Sequence, residues 1–334
     1  MKILKLFLIC FLFCSIDALA YFQRHEAGQE VFSFSSTFHS PRNTATEHSN
    51  AAEQTSDPGI TLLNPAALRL QDGKKNTAAI YWQTGDLAEN QGLITYARAL
   101  STITVQASYG WISYGGIDGI DEYGEETGVT HEPLSQLVAL SAMVPLKHIN
   151  VGASIKLATD KLSGEENDRT AMGLAFDWGI SWIAESRLYG ITIAARDFGA
   201  MIRDYVDDND DETYAMAQVF AISGFLKPRT LPRLALYAES SFPRYAESAL
   251  HLGAEYSLSQ YFFIRGGFTR TWLDLSRDAK ELFASNSRPG ESNEARLFSL
   301  GLGYALGPLA LDYAFSYLTQ GIGTEHRIGV RFSF

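Results

Sequence analysis

Apolar residues fall on every second position over long runs of this chain. In 325–334, Ile328, Val330, Phe332 and Phe334 point one way, and Arg327, Gly329, Arg331 and Ser333 the other. Phe298, Leu300, Leu302, Tyr304 and Leu306 oppose Ser299, Gly301 and Gly303. Leu309, Leu311, Tyr313, Phe315 and Tyr317 oppose Ala310, Asp312, Ala314 and Ser316, and Leu250, Leu252, Ala254 and Tyr256 oppose His251, Gly253 and Glu255. The longest run sets Met172, Leu174, Phe176, Trp178, Ile180 and Trp182 against Gly173, Ala175, Asp177, Gly179 and Ser181. The period recurs at Ile103–Trp111, Ile149–Leu157 and Tyr189–Ala195, while 214–225 alternates poorly. Period two is the signature of a strand with unlike faces.

A soluble sandwich also hides one face, so alternation alone does not choose the architecture. Length does: these runs extend for roughly 9 to 13 residues, enough for a tilted strand to cross a bilayer, whereas soluble strands average about five or six. The polar face carries small and charged residues (Lys156, Asp177, Arg265, Asp312), as a wet or plugged lumen requires. The apolar face ends in aromatics (Trp182, Tyr256, Trp272, Tyr304, Tyr317), where interfacial girdles belong. Short connections at Ala99–Ser101, Pro145–Lys147, Ala184–Arg187, Leu258–Gln260 and Gly307–Pro308 alternate with long ones near 114–135, 158–169, 197–213 and 273–294. The pattern predicts an all-β fold: a closed antiparallel transmembrane β-barrel of about 14 strands over 77–334, with both barrel ends on the short-turn side.

Composition changes this picture little. Only 19% of the 334 residues are charged, against roughly 25% in soluble domains. The formal net charge of -11, without a basic stripe, argues against nucleic acid as a partner. Residues 1–20 have the architecture of a cleaved signal peptide: Lys2 and Lys5, then apolar Leu6 to Phe13, then Ala18-Leu19-Ala20 before Tyr21. Cleavage after Ala20 removes both cysteines, Cys10 and Cys14, leaving no thiolate metal site. A barrel behind such a leader belongs in the bacterial outer membrane, with membrane lipid as its first partner.

The long connections hold much of the acid. One contains Asp118, Asp121, Glu122, Glu125, Glu126 and Glu132 without Lys or Arg; the other is Asp207-Asp208-Asn209-Asp210-Asp211-Glu212. As a calcium loop starting at Asp207, the second has Glu212 where Gly is needed and Gln218 where a bidentate Glu should stand, so solvated extracellular loops are expected and no metal is assigned. Nucleophile-elbow, Walker, zinc-protease and dinucleotide motifs are absent, and the seven histidines form no metal-spaced pair. The expectation is a non-enzyme without a cofactor.

Residues 21–76 are more polar and alternate weakly. They end in Asp57-Pro58-Gly59-Ile60-Thr61-Leu62-Leu63-Asn64-Pro65-Ala66-Ala67-Leu68, where Asn64 as N-cap and Pro65 at the first helical position predict a short helix in a periplasmic cap or a luminal plug.

Here the chain resembles known families. Asn64-Pro65-Ala66 resembles the Asn-Pro-Ala signature that opens FadL-like barrels. The chain is more closely similar to the PorV/PorQ family. Thr170–Gly179 resembles its Phe-Asp-x-Gly strand, and Gly190–Gly199 its next strand, with Asp197 where Asn is usual. Leu231-Pro232, the pair Leu252–Tyr256 and Ile264–Gly267, Leu311–Phe315 and Glu325–Arg327 follow in the family's order. Thr44–Gln54 departs from it, lacking glycine. The resemblance implies a non-enzymatic accessory of type IX secretion that binds or shuttles cargo signal domains, the translocon or the attachment complex through its outer loops. The alternative it implies is a FadL-like channel for passive uptake of hydrophobic small molecules. The inward residues named above are mainly small and polar, which weighs against an apolar pocket.

Overall fold

The computed structural model describes residues 30–86, 88, 90–120, 123–162, 169–205, 214–283, 296–318 and 323–334. Residues 1–20, where a signal peptide is expected, lie outside this set, as do Asp121, Glu122, Asp207, Asp208, Asp210, Asp211 and Glu212. Among the described residues sixteen strands form: β1 (Asn76–Gly85), β2 (Asn90–Ala99), β3 (Thr104–Ser113), β4 (Ile117–Ile120), β5 (Glu126–His131), β6 (Leu134–Leu146), β7 (Ile149–Lys161), β8 (Ala171–Ile183), β9 (Tyr189–Arg203), β10 (Val219–Leu226), β11 (Leu234–Pro243), β12 (Ala249–Ser257), β13 (Phe262–Thr271), β14 (Arg296–Leu306), β15 (Leu309–Leu318) and β16 (Gly323–Ser333). Fourteen close into one antiparallel barrel in which β1 pairs with β16; β4 and β5 form a separate hairpin. The seam runs from Thr77 opposite Ser333 to Gly85 opposite Glu325, so no edge strand is left open. Strand lengths reach from 8 residues in β10 to 15 in β9, a wider spread than the alternation predicts.

Alternation places the faces as expected. Along β8, Gly173, Ala175, Asp177, Gly179 and Ser181 are buried, while Leu174, Phe176, Ile180 and Trp182 are exposed. Ile80, Leu140, Ile155, Leu300, Leu302 and Ile328 extend the apolar outer wall. A continuous apolar exterior around a closed hydrogen-bonded wall suits hydrocarbon rather than water. Among the described residues no helix is long and apolar enough to cross a membrane, so the strands alone form this surface.

Aromatics cluster near the strand ends: Trp82 against Trp111, Trp182 near Tyr189, Phe262 on Tyr304 and Phe298 stacked on Tyr317. Trp272 corrects the expected girdle. It opens α2 (Trp272–Phe283), and its indole N–H donates to the buried Ser240 Oγ at 2.9 Å. An indole N–H with an inward partner is more stable there than among lipid tails.

The ends of the barrel differ. The short-turn end carries the β2–β3, β6–β7, β8–β9, β12–β13 and β14–β15 turns and both barrel termini; the opposite, long-loop end carries the β4–β5 hairpin and α2. Residues 31–68 run through the lumen and are mostly buried, including the helical turn α1 (Pro41–Ala45). The wall makes room for them with glycine. A Cβ on Gly179 would overlap Asn64 Oδ1, and one on Gly152 would overlap the Pro65 carbonyl.

Candidate functional site

The lumen is filled by the chain's own N-terminal segment. At the long-loop end the filling is apolar. Phe32, Phe34 and Phe38 pack with Leu62 against Leu93 of β2, Ile112 of β3, Leu137 of β6 and Met201 of β9. Phe32 meets Phe34, and Phe34 meets Phe38, edge to face at 6.0 and 6.3 Å between centroids. Tyr205 covers this cluster, donating its hydroxyl to Asp160 at 2.7 Å. The inward wall is therefore not uniformly small and polar, which corrects the expectation. Leu93, Ile112 and Leu137 escape it because they lie in strands whose inward residues the sequence reading did not resolve.

The Asn-Pro-Ala segment packs against the wall near the short-turn end, at Ser181 and Gly179 of β8 and Gly152 of β7. No helix follows Asn64; the backbone makes one turn and then extends, with Thr55 N–H on the Ala67 carbonyl and Arg69 N–H on the Thr55 carbonyl. Asn64 still acts as a local cap, its Oδ1 accepting from Ala66 N–H at 2.9 Å. Its Nδ2 donates to the Ala51 carbonyl at 2.8 Å and to Ser181 Oγ at 3.1 Å on the wall. Buried Ala67 and Leu68 are held by Ile60, Leu63 and Ala97 instead of continuing a helix. The helical turn forms one step earlier, at Pro58–Leu62, where Asp57 caps Gly59 N–H at 3.1 Å. Asp57 also accepts from Ser40 at 2.5 Å and from the Tyr81 hydroxyl of β1.

Strand β9 carries a bulge, where the register with β8 shifts between Phe176 and Trp178. Asp197 sits there in the left-handed region (φ 56), and its N–H donates to Asp177 Oδ1 at 2.7 Å. Lys156 Nζ lies 2.7 Å from Asp177 and 3.1 Å from Asp197, with all three side chains buried. After glycine, Asn and Asp are the residues that tolerate that backbone best, so Asp197 suits the bulge.

An ionic cluster also lies toward the short-turn end. Arg42 Nη2 binds Glu53 at 2.7 Å, and its Nε binds Glu255 at 3.0 Å. Glu53 also accepts from the Tyr237 hydroxyl at 2.6 Å and pairs with Lys227 at 2.5 Å. Arg265 joins Glu255 to Asp312. Burial works against both charges of the central pair. The neighbouring Glu255 and Glu53 carboxylates nonetheless hold the Arg42 pKa well above its usual value, and Arg42 and Lys227 hold Glu53 below the usual carboxylate range. Two cavities of about 580 and 270 Å3 open at the short-turn end, both bordered by Gln54.

Of the predicted site residues, Asn64, Pro65 and Ala66 are buried in the lumen. Asp118, Glu125 and Glu126 are exposed on and beside the β4–β5 hairpin at the long-loop end, where Asp118 accepts from Thr130 at 3.1 Å. Glu132 is exposed beside the same hairpin, and Asp121, Glu122, Asp207, Asp208, Asp210, Asp211 and Glu212 lie outside the described residues. The sequence reading missed Phe32, Phe34, Phe38, Arg42 and Glu53. A signal was present: charged residues on inward strand faces, such as Glu255 and Arg265, need buried partners, and residues 30–56 supply them.

No protein-family model matches the chain, and no curated protein matches its sequence. Solved structures resemble its fold. The toluene transporter TodX of P. putida aligns with a TM-score of 0.60 at 10% identity, over 89% of this chain and 98% of that one. The Ralstonia pickettii toluene transporter TbuX gives a TM-score of 0.56 at 14% identity, over 91% and 98%. A FadL homologue of Pseudomonas aeruginosa gives 0.51 at 10% identity, over 88% and 97%. At these identities the likeness is one of fold alone.

Proposed function

We propose that this chain, exported by a leader cleaved after Ala20, is an outer-membrane channel that admits small hydrophobic molecules by diffusion. The long-loop end is its outer mouth. The observation that carries this reading is the apolar cluster just inside that mouth, where Phe32, Phe34 and Phe38 occupy an apolar chamber. A small apolar solute reproduces what those rings offer: dispersion contacts and release of ordered water, without a hydrogen bond to satisfy. Entry then requires the N-terminal segment to yield its place, and the polar groups beneath steer the solute away from the aqueous axis. The fold likeness to toluene transporters supports this reading. Nothing in it requires covalent chemistry.

The experiment is uptake of a labelled monoaromatic hydrocarbon into cells that express the full chain in an otherwise intact outer membrane. Entry several-fold faster than in empty-vector cells is expected; an unchanged rate overturns the reading. The second reading, a type IX secretion accessory, draws on the order of the family-like sequence motifs and on the exposed, acid-rich β4–β5 hairpin as a partner surface. It expects deletion in the native host to strand signal-domain cargo in the periplasm, and normal cargo export sinks it.

A further inference from the structure

The larger cavity at the short-turn end is lined by more cations than carboxylates. Its volume, about 580 Å3, falls within the range of small-molecule sites. Its lining includes Arg69, Lys74, Lys147 and Arg187 against Asp72 and Glu185, an excess of two positive charges in a chain whose formal net charge is -11. The cations come from three directions: the exit of the luminal segment, the β6–β7 turn and the β8–β9 turn. Arg69 pairs with Asp72 at 3.1 Å, but Lys74, Lys147 and Arg187 make no ion pair with a carboxylate among the described residues.

The backbone singles out the same two turns. Lys147 (φ 29) and Arg187 (φ 55) both stand in the left-handed region, where glycine or asparagine is the low-cost choice. Two adjacent turns thus hold a long cationic side chain at a strained tip, and both line one cavity. Leu70, Met143 and Ile183 give the cavity an apolar wall.

We propose that this vestibule binds a ligand that joins a phosphate group to an apolar body. Several cations converging from different directions match a tetrahedral, multiply charged anion better than a planar monocarboxylate, which two donors already satisfy. The shared chemistry is a phosphate ester, and it has two sources: the headgroup of an inner-leaflet lipid or a soluble ester. The site does not depend on passage through the lumen.

The test is titration calorimetry on the full chain in a neutral maltoside detergent. Dihexanoyl phosphatidic acid is the lipid probe, phenyl phosphate the soluble one, and phenol the uncharged comparator. At least one phosphate probe should bind, phenol should not, and rising ionic strength should weaken binding. The double variant Lys147→Gln/Arg187→Gln should lose about tenfold or more in affinity, and Lys74→Gln a smaller factor. Heat-modifiable gel mobility confirms that each variant keeps its barrel. The control is Arg229→Gln/Arg233→Gln, which changes two cations at the same end that do not line the cavity, and its affinity should be unchanged. Binding of the lipid probe alone assigns the site to a headgroup, and binding of phenyl phosphate alone assigns it to a soluble ester; either sustains the proposal. Binding of neither probe, equal binding of phenol, or an equal loss in the control pair overturns it.

Discussion

Asn64 shows how one side chain can serve three structures at once. It caps its own turn through Ala66, ties that turn to the Ala51 carbonyl and reaches the wall at Ser181. Replacing it with alanine takes these hydrogen bonds from the buried Ala51 carbonyl and Ala66 N–H, while Ser181 keeps Thr192, and each orphan costs about 1–3 kcal/mol. Asn64→Ala is therefore expected to lower the thermal midpoint of the detergent-solubilised protein by several degrees without changing its strand content. Circular dichroism reads both; an unchanged midpoint refutes the assignment. Gly179 makes the complementary point. Any side chain there meets Asn64, so Gly179→Leu should loosen the luminal segment while leaving the barrel closed. Faster protease cleavage within 30–75, at unchanged heat-modifiable mobility, is the expected result. These two roles were partly legible in advance. Asn-Pro-Ala stands out as a turn motif, but its wall contacts lie 117 residues away in the chain, beyond any local signal.

At the scale of elements, the luminal segment is held by ions at one end and by aromatics at the other. Glu53 is held below the usual carboxylate range, so its folded pKa lies under the ordinary 4.5. The sign follows: its contribution is complete above about pH 4.5 and is lost as the pH falls through the lower, folded value. Docking of the segment should hold at neutral pH and weaken only in stronger acid, measured as protease access to 30–75 against pH. Glu53→Gln should flatten that dependence. Removing Arg42 is harsher, because Glu53 and Glu255 are left buried without their shared cation; Arg42→Ala should cost about 3–5 kcal/mol. The aromatic end predicts the opposite sign for transport. Under the proposed function, Phe34→Ala/Phe38→Ala opens the apolar chamber and should raise hydrocarbon uptake while lowering stability. Uptake that falls in step with stability would count against the chamber as the entry site. Sequence reading detected neither end. Residues 30–56 alternate weakly because their partners surround them on all sides, so no single period marks a buried face.

For the whole molecule, wall and filling are expected to be separable. The barrel closes by backbone pairing of β1 with β16, while Tyr81 and Arg327 of these strands also bond the filling at Asp57, Thr37 and His39. Deleting 30–75 is expected to leave a heat-modifiable barrel that inserts into planar bilayers, but with a much larger and steadier ion conductance than the full chain. A silent or unfolded deletion variant would show instead that the filling is part of the wall's own stability. The outer surface stays apolar in both forms, so detergent requirement should not change.

Most strands and their faces, the closed barrel and the end that carries the longest connections were legible in the sequence alone. In a closed antiparallel wall every residue faces either lipid or lumen, so the demand on its chemistry repeats every two positions and can be read locally. Tertiary structure decided what fills the lumen. The bulge at Asp197, the turn where a helix was expected after Asn64, the inward Trp272 and the Arg42–Glu53–Glu255 cluster all join residues far apart in the chain. Their geometry depends on which wall glycines leave room and which inward charges need partners. Such pairings have no period, and they exist only once the barrel has closed around them.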